Sequence, residues 1–300
     1  MVRHRWIVDE IEAAGCVPRM AHALFAKKMM AHIHKTDKLD AQGLATLEHL
    51  GSLPTVWIAP GEIRNARELP RTRMAFSKMR TALKNRRHST LAKYALSLEG
   101  ASDVFALKWR PLLLQLIDSL PQETARCMHQ ELELLGQVQD HMGQLETWIK
   151  ERIKLTESMQ LVQSLPGMGV ILAILITLEV GSVDRFRSPS NLASYSGTVP
   201  NVKSSGGKQR HGRMVTQANN YPKWAFIEAA NVVVMKRNHP LWRRKHVSVL
   251  YDRIRRCKGH AVAVGAVARH LAEATFWVLT KAEPYHDPMK VSPRQGQARG

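Results

Sequence analysis

ETARCMHQELELLGQVQDHMGQLETWIKERIKLTESMQLVQ, residues 123–163, decides the fold. Met128, Leu132, Leu135, Val138, Met142, Leu145, Ile149 and Ile153 recur at intervals of three and four. That spacing lines them up on one face of an α-helix. It predicts a single long helix over 123–163 whose apolar stripe suits a helix hairpin or a coiled coil. A seam of this kind packs and carries no chemistry of its own. As an arm, it joins two domains or two subunits.

Working outward toward the N-terminus, residues 62–98 also read as helical, interrupted once at Pro70, and are very basic. Arg71, Arg73, Lys78, Arg80, Lys84, Arg86, Arg87 and Lys93 decorate this stretch. A solvated helix surface is the plain account. Few acids stand at the spacing that would pair with these cations along the helix, so phosphate contact is a second use. Before it, Arg5 to Ala14 reads as a short amphipathic helix stopped by Gly15. Val17 sits in a brief apolar segment that Pro18 confines to a sheet edge. A helix then runs from the segment 36–41 to about Leu50, and Thr55 to Ile58 is a short strand. No complete βαβ unit assembles from these pieces, so residues 1–58 read as part of an α/β domain. Toward the C-terminus, residues 161–286 are largely helical with Gly-rich loops, and Ala261 to Leu279 forms an apolar closing helix. Residues 287–300 have the composition of a disordered basic tail. The expected fold is mainly α with a partial α/β N-terminal region. It divides into 1–58, a basic helical arm at 59–160, a C-terminal domain at 161–286 and the tail.

Composition bounds the partner. The 300 residues hold 44 Lys and Arg against 25 Asp and Glu, a formal charge of +19. Such an excess favours a polyanion, because each cation placed on a phosphate releases condensed counterions. The apolar stretch Val170 to Leu178 is far too short to span a bilayer, and no signal segment opens the chain. Nucleic acid is therefore the expected partner, and a membrane is not. Cys16, Cys127 and Cys257 are scattered, form no zinc-type array and fit a reducing cytoplasm.

Three motifs bear on chemistry. In Leu165-Pro166-Gly167-Met168-Gly169, two glycines one residue apart open an apolar helix, Val170 to Val180. Gly167 and Gly169 let the backbone turn tightly and leave amides free for a phosphate oxygen. A plain turn between helices accounts for the pattern equally. The second motif is a Gly-rich loop in which Ser204 and Ser205 are surrounded by Lys203, Lys208, Arg210, His211 and Arg213. A serine hydroxyl needs a base or a strongly cationic setting to attack a phosphodiester. The cations would also offset charge developing on the phosphoryl oxygens. Serines capping the next helix are the alternative. The third is Asp37 with Asp40, two carboxylates on one helical turn. They could share Mg²⁺, or simply favour the helix dipole.

Taken in order, these segments resemble the insertion sequence 110/116/902 transposase family. Lys35-Thr36-Asp37-Lys38-Leu39-Asp40-Ala41 is similar to that family's Lys-Thr-Asp-x-x-Asp-Ala signature. Lys84 to His88 resembles its basic mid-chain helix, and Leu165 to Gly169 its helix-hairpin-like segment. Tyr195-x-Gly197-x-x-Pro200 followed by Ser204-Ser205-Gly206-Gly207-Lys208 resembles the core of its C-terminal transposase domain. Ala266 to Glu273 resembles its closing helix. The resemblance implies a RuvC-like Asp-Glu-Asp-Asp nuclease domain working with a serine transposase domain. Asp37 and Asp40 would be Mg²⁺ ligands. Ser205 would be the nucleophile with Ser204 as alternate, and Lys203, Lys208, Arg210 and Arg213 would hold phosphate. It also implies DNA as substrate, a structured element-encoded RNA, a homo-oligomer and a cytoplasmic, nucleoid-associated location. The family carries an earlier Asp on a first strand and a Glu shortly before the helix that opens this chain. This sequence has no counterpart to either before Arg5, so the expected metal site is half complete and the nuclease domain truncated at its N-terminus. The alternatives are an inactive remnant that only binds nucleic acid, and an unrelated helix-hairpin-helix protein that binds DNA junctions.

Overall fold

The apolar stripe is buried as its spacing requires. Met128, Leu132, Leu135, Val138, Met142, Leu145 and Ile149 are each no more than 6% exposed. The computed structural model that places them describes residues 5–30, 36–101, 103–205 and 208–288; at 203–205 and 208–211 it describes the backbone alone. The elements in order are α1 (Arg5–Ala13), β1 (Met20–Ala21), α2 (Ala23–Met30), α3 (Asp37–His49), β2 (Thr55–Val56), α4 (Gly61–Ala66) and α5 (Glu68–Lys93). There follow α6 (Arg110–Asp118), α7 (Gln122–Arg152), α8 (Glu157–Gln163), α9 (Val170–Val180) and α10 (Pro189–Tyr195). Then come β3 (Pro200–Ser205), β4 (Lys208–Met214), α11 (Asn220–Lys236), α12 (His246–Lys258) and α13 (His260–Lys281). The protein is mainly α. It forms two compact units, one ending at Asn65 and the other beginning at Ala66.

In the first unit, β1 and β2 pair antiparallel, Met20 with Val56 and Ala21 with Thr55. The first strand thus lies just after Pro18, clear of the residue that has no N–H to give. α3 starts where Thr36 accepts a hydrogen bond from the Leu39 amide at 3.3 Å, and it ends before Gly51, whose φ is +64°. Arg64 holds α1 by donating to Asp9 at 2.8 Å and to Glu12.

In the second unit, α5 and α7 run antiparallel: Arg73 pairs with Glu146 and Arg86 with Glu131, so the numbers rise on one helix as they fall on the other. The single helix predicted over 123–163 is broken. Ile153 turns to extended backbone, and Thr156 starts α8 by accepting from the Met159 amide at 3.3 Å. Pro70 lies in the first turn of α5 and does not interrupt it, because the amide it lacks has no helical partner there. The largest core joins α8 to α13 around Leu175, Ile176, Phe226 and Leu271. α13 is long and apolar enough to cross a membrane by composition alone, yet Ala263, Val267, Leu271 and Ala272 are buried within that core.

The chain closes over this core. Asp287 accepts a hydrogen bond from the His246 amide at 3.0 Å, which gives the start of α12 the cap its own Lys245 lacks. Tyr285 lies 3.3 Å from His270 Nε2, and its amide donates to Ser164 at 2.7 Å. Burial, and then the neighbouring His246, hold the His270 pKa below its ordinary value near 6.5, while Glu273 and Asp287 oppose the shift. A folded-state pKa below the unfolded one means that the unfolded chain takes up the proton first. Stability therefore falls as pH drops through about 6.5, and levels off once the folded imidazole also titrates. Urea midpoints between pH 7.5 and 5 are expected to show this decline, and His270→Gln is expected to flatten it. An unchanged profile in that variant would assign the decline to other groups.

Candidate functional site

The Ser204–Ser205 segment is not a loop but the end of a β-hairpin. β3 and β4 pair antiparallel with Lys203 opposite Arg210, Ser204 opposite Gln209 and Ser205 opposite Lys208. The register slips between Pro200 and Val202, a bulge close to the hairpin base. Two residues, Gly206 and Gly207, join Ser205 to Lys208. The side chains of Lys203, Ser204, Ser205, Lys208 and Arg210 lie outside the described residues, whereas Arg213, nearer the base of β4, is exposed.

The base of this hairpin is built with unusual care, and a residue the sequence reading passed over organises it. Glu179 stands alone as an acid in the apolar helix α9, and its side chain is fully buried. Arg71 of α5 grips its carboxylate with two hydrogen bonds, Nε to Oε1 at 2.6 Å and Nη2 to Oε2 at 3.0 Å. Asn219, the residue that caps α11, donates to Oε2 at 2.8 Å and to the Tyr195 hydroxyl at 2.8 Å. Tyr195 in turn donates to the Glu179 carbonyl at 3.0 Å. Tyr195 closes α10 immediately before the hairpin, and Asn219 opens α11 immediately after it. Both ends of the hairpin segment are thus tied to Glu179, Asn219 through its carboxylate and Tyr195 through its backbone carbonyl. The Asn219 amide also donates to the Tyr195 carbonyl at 2.9 Å, and Val215 to Val199 at 3.1 Å.

Cations finish the end of α9. Arg67 donates to the Leu178 carbonyl at 2.8 and 2.9 Å, and Arg185 donates to Val180 at 2.7 Å. Positive groups belong there because a helix leaves its last carbonyls unpaired and its C-terminus partly negative. Arg185 also stacks 4.4 Å from the centre of the Tyr195 ring, and Arg71 4.3 Å from that of Tyr221. Burial lowers the Arg67 pKa, since its guanidinium comes no closer than 3.9 Å to the Glu179 carboxylate. Burial also pulls on Arg71, but the hydrogen bonds and charge of Glu179 outweigh it and the net shift is upward. The signal in the sequence was Glu179 itself: an acid inside an apolar run is almost never buried unless paired.

The other predicted positions fall as follows. Asp37 and Asp40 occupy the first turn of α3, Asp37 exposed and Asp40 half-buried, in the other compact unit from the hairpin. No group of three His, Cys, Asp or Glu suited to a metal occurs among the described residues. The two carboxylates lie in the first turn of their helix, where they favour its dipole, and they are two of the four acids that the resemblance implies. Gly167 adopts φ +80° against α11, while Gly169 is exposed at the start of α9, where no side chain caps the helix.

The basic run on α5 finds its acids elsewhere in the fold. Besides the Arg71–Glu179 pair, Arg73 meets Glu146 at 2.7 Å, Lys84 meets Asp103 at 2.7 Å and Arg86 meets Glu131. Arg87 is fully buried near the Phe105 ring, with no hydrogen-bond partner among the described residues, and burial draws its pKa down to about 10. The acids come from α7, α9 and the segment after α5, which helical spacing along α5 itself could not reveal.

Helical bulk, a cationic serine hairpin and a braced hairpin base are the setting in which the likeness to known proteins falls. Residues 159–247, from α8 to the start of α12, match the family model described as Transposase IS116/IS110/IS902 family. The chain is 26% identical over 257 residues to the transposase for insertion sequence element IS1111A of Coxiella burnetii, covering 84% of this chain and 68% of that protein. It is 24% identical over 236 residues to a probable family 20 transposase of Pseudomonas aeruginosa, covering 77% and 68%. A transposase for insertion sequence element IS1328 of Yersinia enterocolitica is 22% identical over 203 residues, covering 68% and 60%. These likenesses are to transposases of insertion sequences. They support an affinity of this chain with the IS116/IS110/IS902 transposase family, carried by residues 159–247 and by relatives at 22–26% identity.

Proposed function

We propose that this chain cuts and rejoins DNA by covalent catalysis, with Ser205 as the nucleophile. The observation that carries the reading is the hairpin register, which sets Lys208 directly opposite Ser205 at the tip of a hairpin tied at its base to Glu179. A serine hydroxyl becomes a competent nucleophile in a strongly cationic setting. Lys203, Lys208, Arg210 and Arg213 supply one, and they hold the phosphodiester. The Ser205 oxygen attacks phosphorus, an O–P bond forms, and the bridging strand oxygen leaves with its electron pair and takes up a proton. A strand hydroxyl then attacks the same phosphorus, and the serine oxygen departs. Bond energy is kept in the phosphoserine, so rejoining needs no outside source. Ser204, its neighbour on the strand, is the alternate nucleophile.

Asp37 and Asp40 would hold Mg²⁺, which would supply charge stabilisation for phosphoryl oxygens. In this reading the first unit is a portion of a RuvC-like domain. The α5–α7 pair is the coiled-coil arm that joins copies of the chain. The amides beside Gly167 and Gly169 contact backbone phosphate. Family resemblance supplies a structured, element-encoded RNA as guide and a cytoplasmic site of action on the nucleoid.

The test is a denaturant-stable protein–DNA adduct formed with Mg²⁺, element-end DNA and element RNA. The adduct is expected with the native chain and with Ser204→Ala, and is expected to vanish in Ser205→Ala. Its survival in Ser205→Ala would move the role to Ser204. Survival in the double variant, or no adduct from the native chain, would overturn the covalent reading.

A further inference from the structure

The net charge of +19 has to lie somewhere, and α5 is a poor place for it: four of its cations are paired with acids and a fifth is buried. Residues 236–258 are different. They carry nine Lys and Arg against a single acid, Asp252, which pairs with Arg237 at 3.7 Å. Arg243 and Arg244 in the turn before α12, and Arg253, Arg255, Arg256 and Lys258 along it, are all exposed. None of these six has an ion-pair or side-chain hydrogen-bond partner among the described residues.

α12 is amphipathic in a way that leaves this face open. Val247, Leu250, Tyr251 and Ile254 pack into the core with α13, and Val249 is the exposed apolar residue on the helix. A membrane-binding helix would set an apolar stripe toward the lipid; here the apolar stripe is already used for packing. A surface that stacks unpaired bases would offer free aromatic rings. Trp242 is the ring at hand, and Lys236 and Lys245 lie over it at 5.3 and 4.7 Å. What is left is a set of exposed cations, five of the six guanidinium groups, the chemistry that grips the phosphates of a regular double helix.

We infer that the α12 face and the turn before it form a docking surface for duplex DNA, apart from the serine hairpin. The inference rests on the DNA partner of the family, but not on the serine step. It is tested on the full chain by the salt dependence of binding to a duplex of about 30 base pairs. Each phosphate contact contributes about 0.9 to the slope of log K against log salt. R253Q/R255Q/R256Q is expected to bind at least tenfold more weakly at moderate salt, with a slope shallower by about 2 to 3. K78Q/K93Q/K150Q removes the same charge from exposed positions on α5 and α7, and is expected to stay within about twofold of the native chain. Equal losses in both variants would make the effect one of overall field and overturn the surface. So would an unchanged slope in the first variant, or tighter binding of duplex RNA than of duplex DNA lost with the same arginines. If the α12 variant does not fold, judged by its melting curve, R243Q/R244Q outside the helix decides in its place, with a slope shallower by about 2 expected and an unchanged one overturning. A native chain that binds no duplex would sink the DNA reading itself. A native chain that binds while both variants match it would sink this surface alone.

Discussion

Replacing Glu179 with Ala is expected to destabilise the protein by about 3–5 kcal/mol, the usual consequence of removing one partner of a buried ion pair. The residue is fully buried and accepts three hydrogen bonds from Arg71 and Asn219, with Arg67 3.9 Å away. Without the carboxylate, two largely buried guanidinium groups lose their counter-charge and the Asn219 amide loses an acceptor. The cost lies in what is stranded more than in what the pair contributes. The double variant Arg71→Met/Glu179→Leu is therefore expected to recover part of the loss, because it removes one of the two guanidinium groups and fills the space with apolar side chains, while Arg67 and the Asn219 amide still lose the carboxylate. Urea unfolding of the four proteins measures this. A loss below about 1 kcal/mol in Glu179→Ala would mean that the pair behaves as a solvated one. The effect also reaches the hairpin. Tyr195 and Asn219 flank residues 196–218, and both lean on Glu179, so hydrogen exchange of the β3–β4 amides is expected to speed up in the single variant more than in the double one.

How far the sequence could be read depended on whether the deciding partner lay nearby in the chain. The stripe from Met128 to Ile149 was legible because helical burial follows local spacing, and seven of its eight positions are buried. The eighth, Ile153, fell outside the helix because Thr156 offers a stronger helix start a few residues on. The serine segment suggested a chemistry, and its backbone structure was not legible. Its glycines and cations suggest a loop, and only pairing with residues up to fourteen positions away makes it a hairpin. The basic helix misled for the same reason: its acids lie on α7 and α9, so a count along α5 could not find them. Glu179 could have been found by asking what an acid inside an apolar helix must meet. Arg71 and Asn219, 108 and 40 positions away, could not.

The two glycines of Leu165-Pro166-Gly167-Met168-Gly169 look alike in sequence and are expected to part company under substitution. At Gly167 the backbone has φ +80°, and a Cβ would lie 2.2 Å from the Ala229 carbonyl oxygen and 3.3 Å from a Val233 methyl. Left-handed backbone costs an ordinary residue about 1–2 kcal/mol. Overpacking adds about 1–3 kcal/mol, toward the upper end when the obstacle is backbone. Ala229 and Val233 are fully buried on α11, so that obstacle cannot swing aside as a surface side chain would. Gly167→Ala is therefore expected to lose about 3 kcal/mol or more, or to force α9 and α11 apart. At Gly169, φ is −89° and nothing lies within 4 Å of a Cβ, so Gly169→Ala is expected to change stability by less than about 0.5 kcal/mol. Thermal unfolding of the two variants checks the contrast, and losses of similar size would show that close approach of α9 and α11 is not what requires Gly167. The same pair separates packing from contact. If the exposed start of α9 meets a phosphate, Gly169→Ala lowers DNA affinity in a protein as stable as the native one. A loss of affinity confined to Gly167→Ala would instead follow from a disturbed fold.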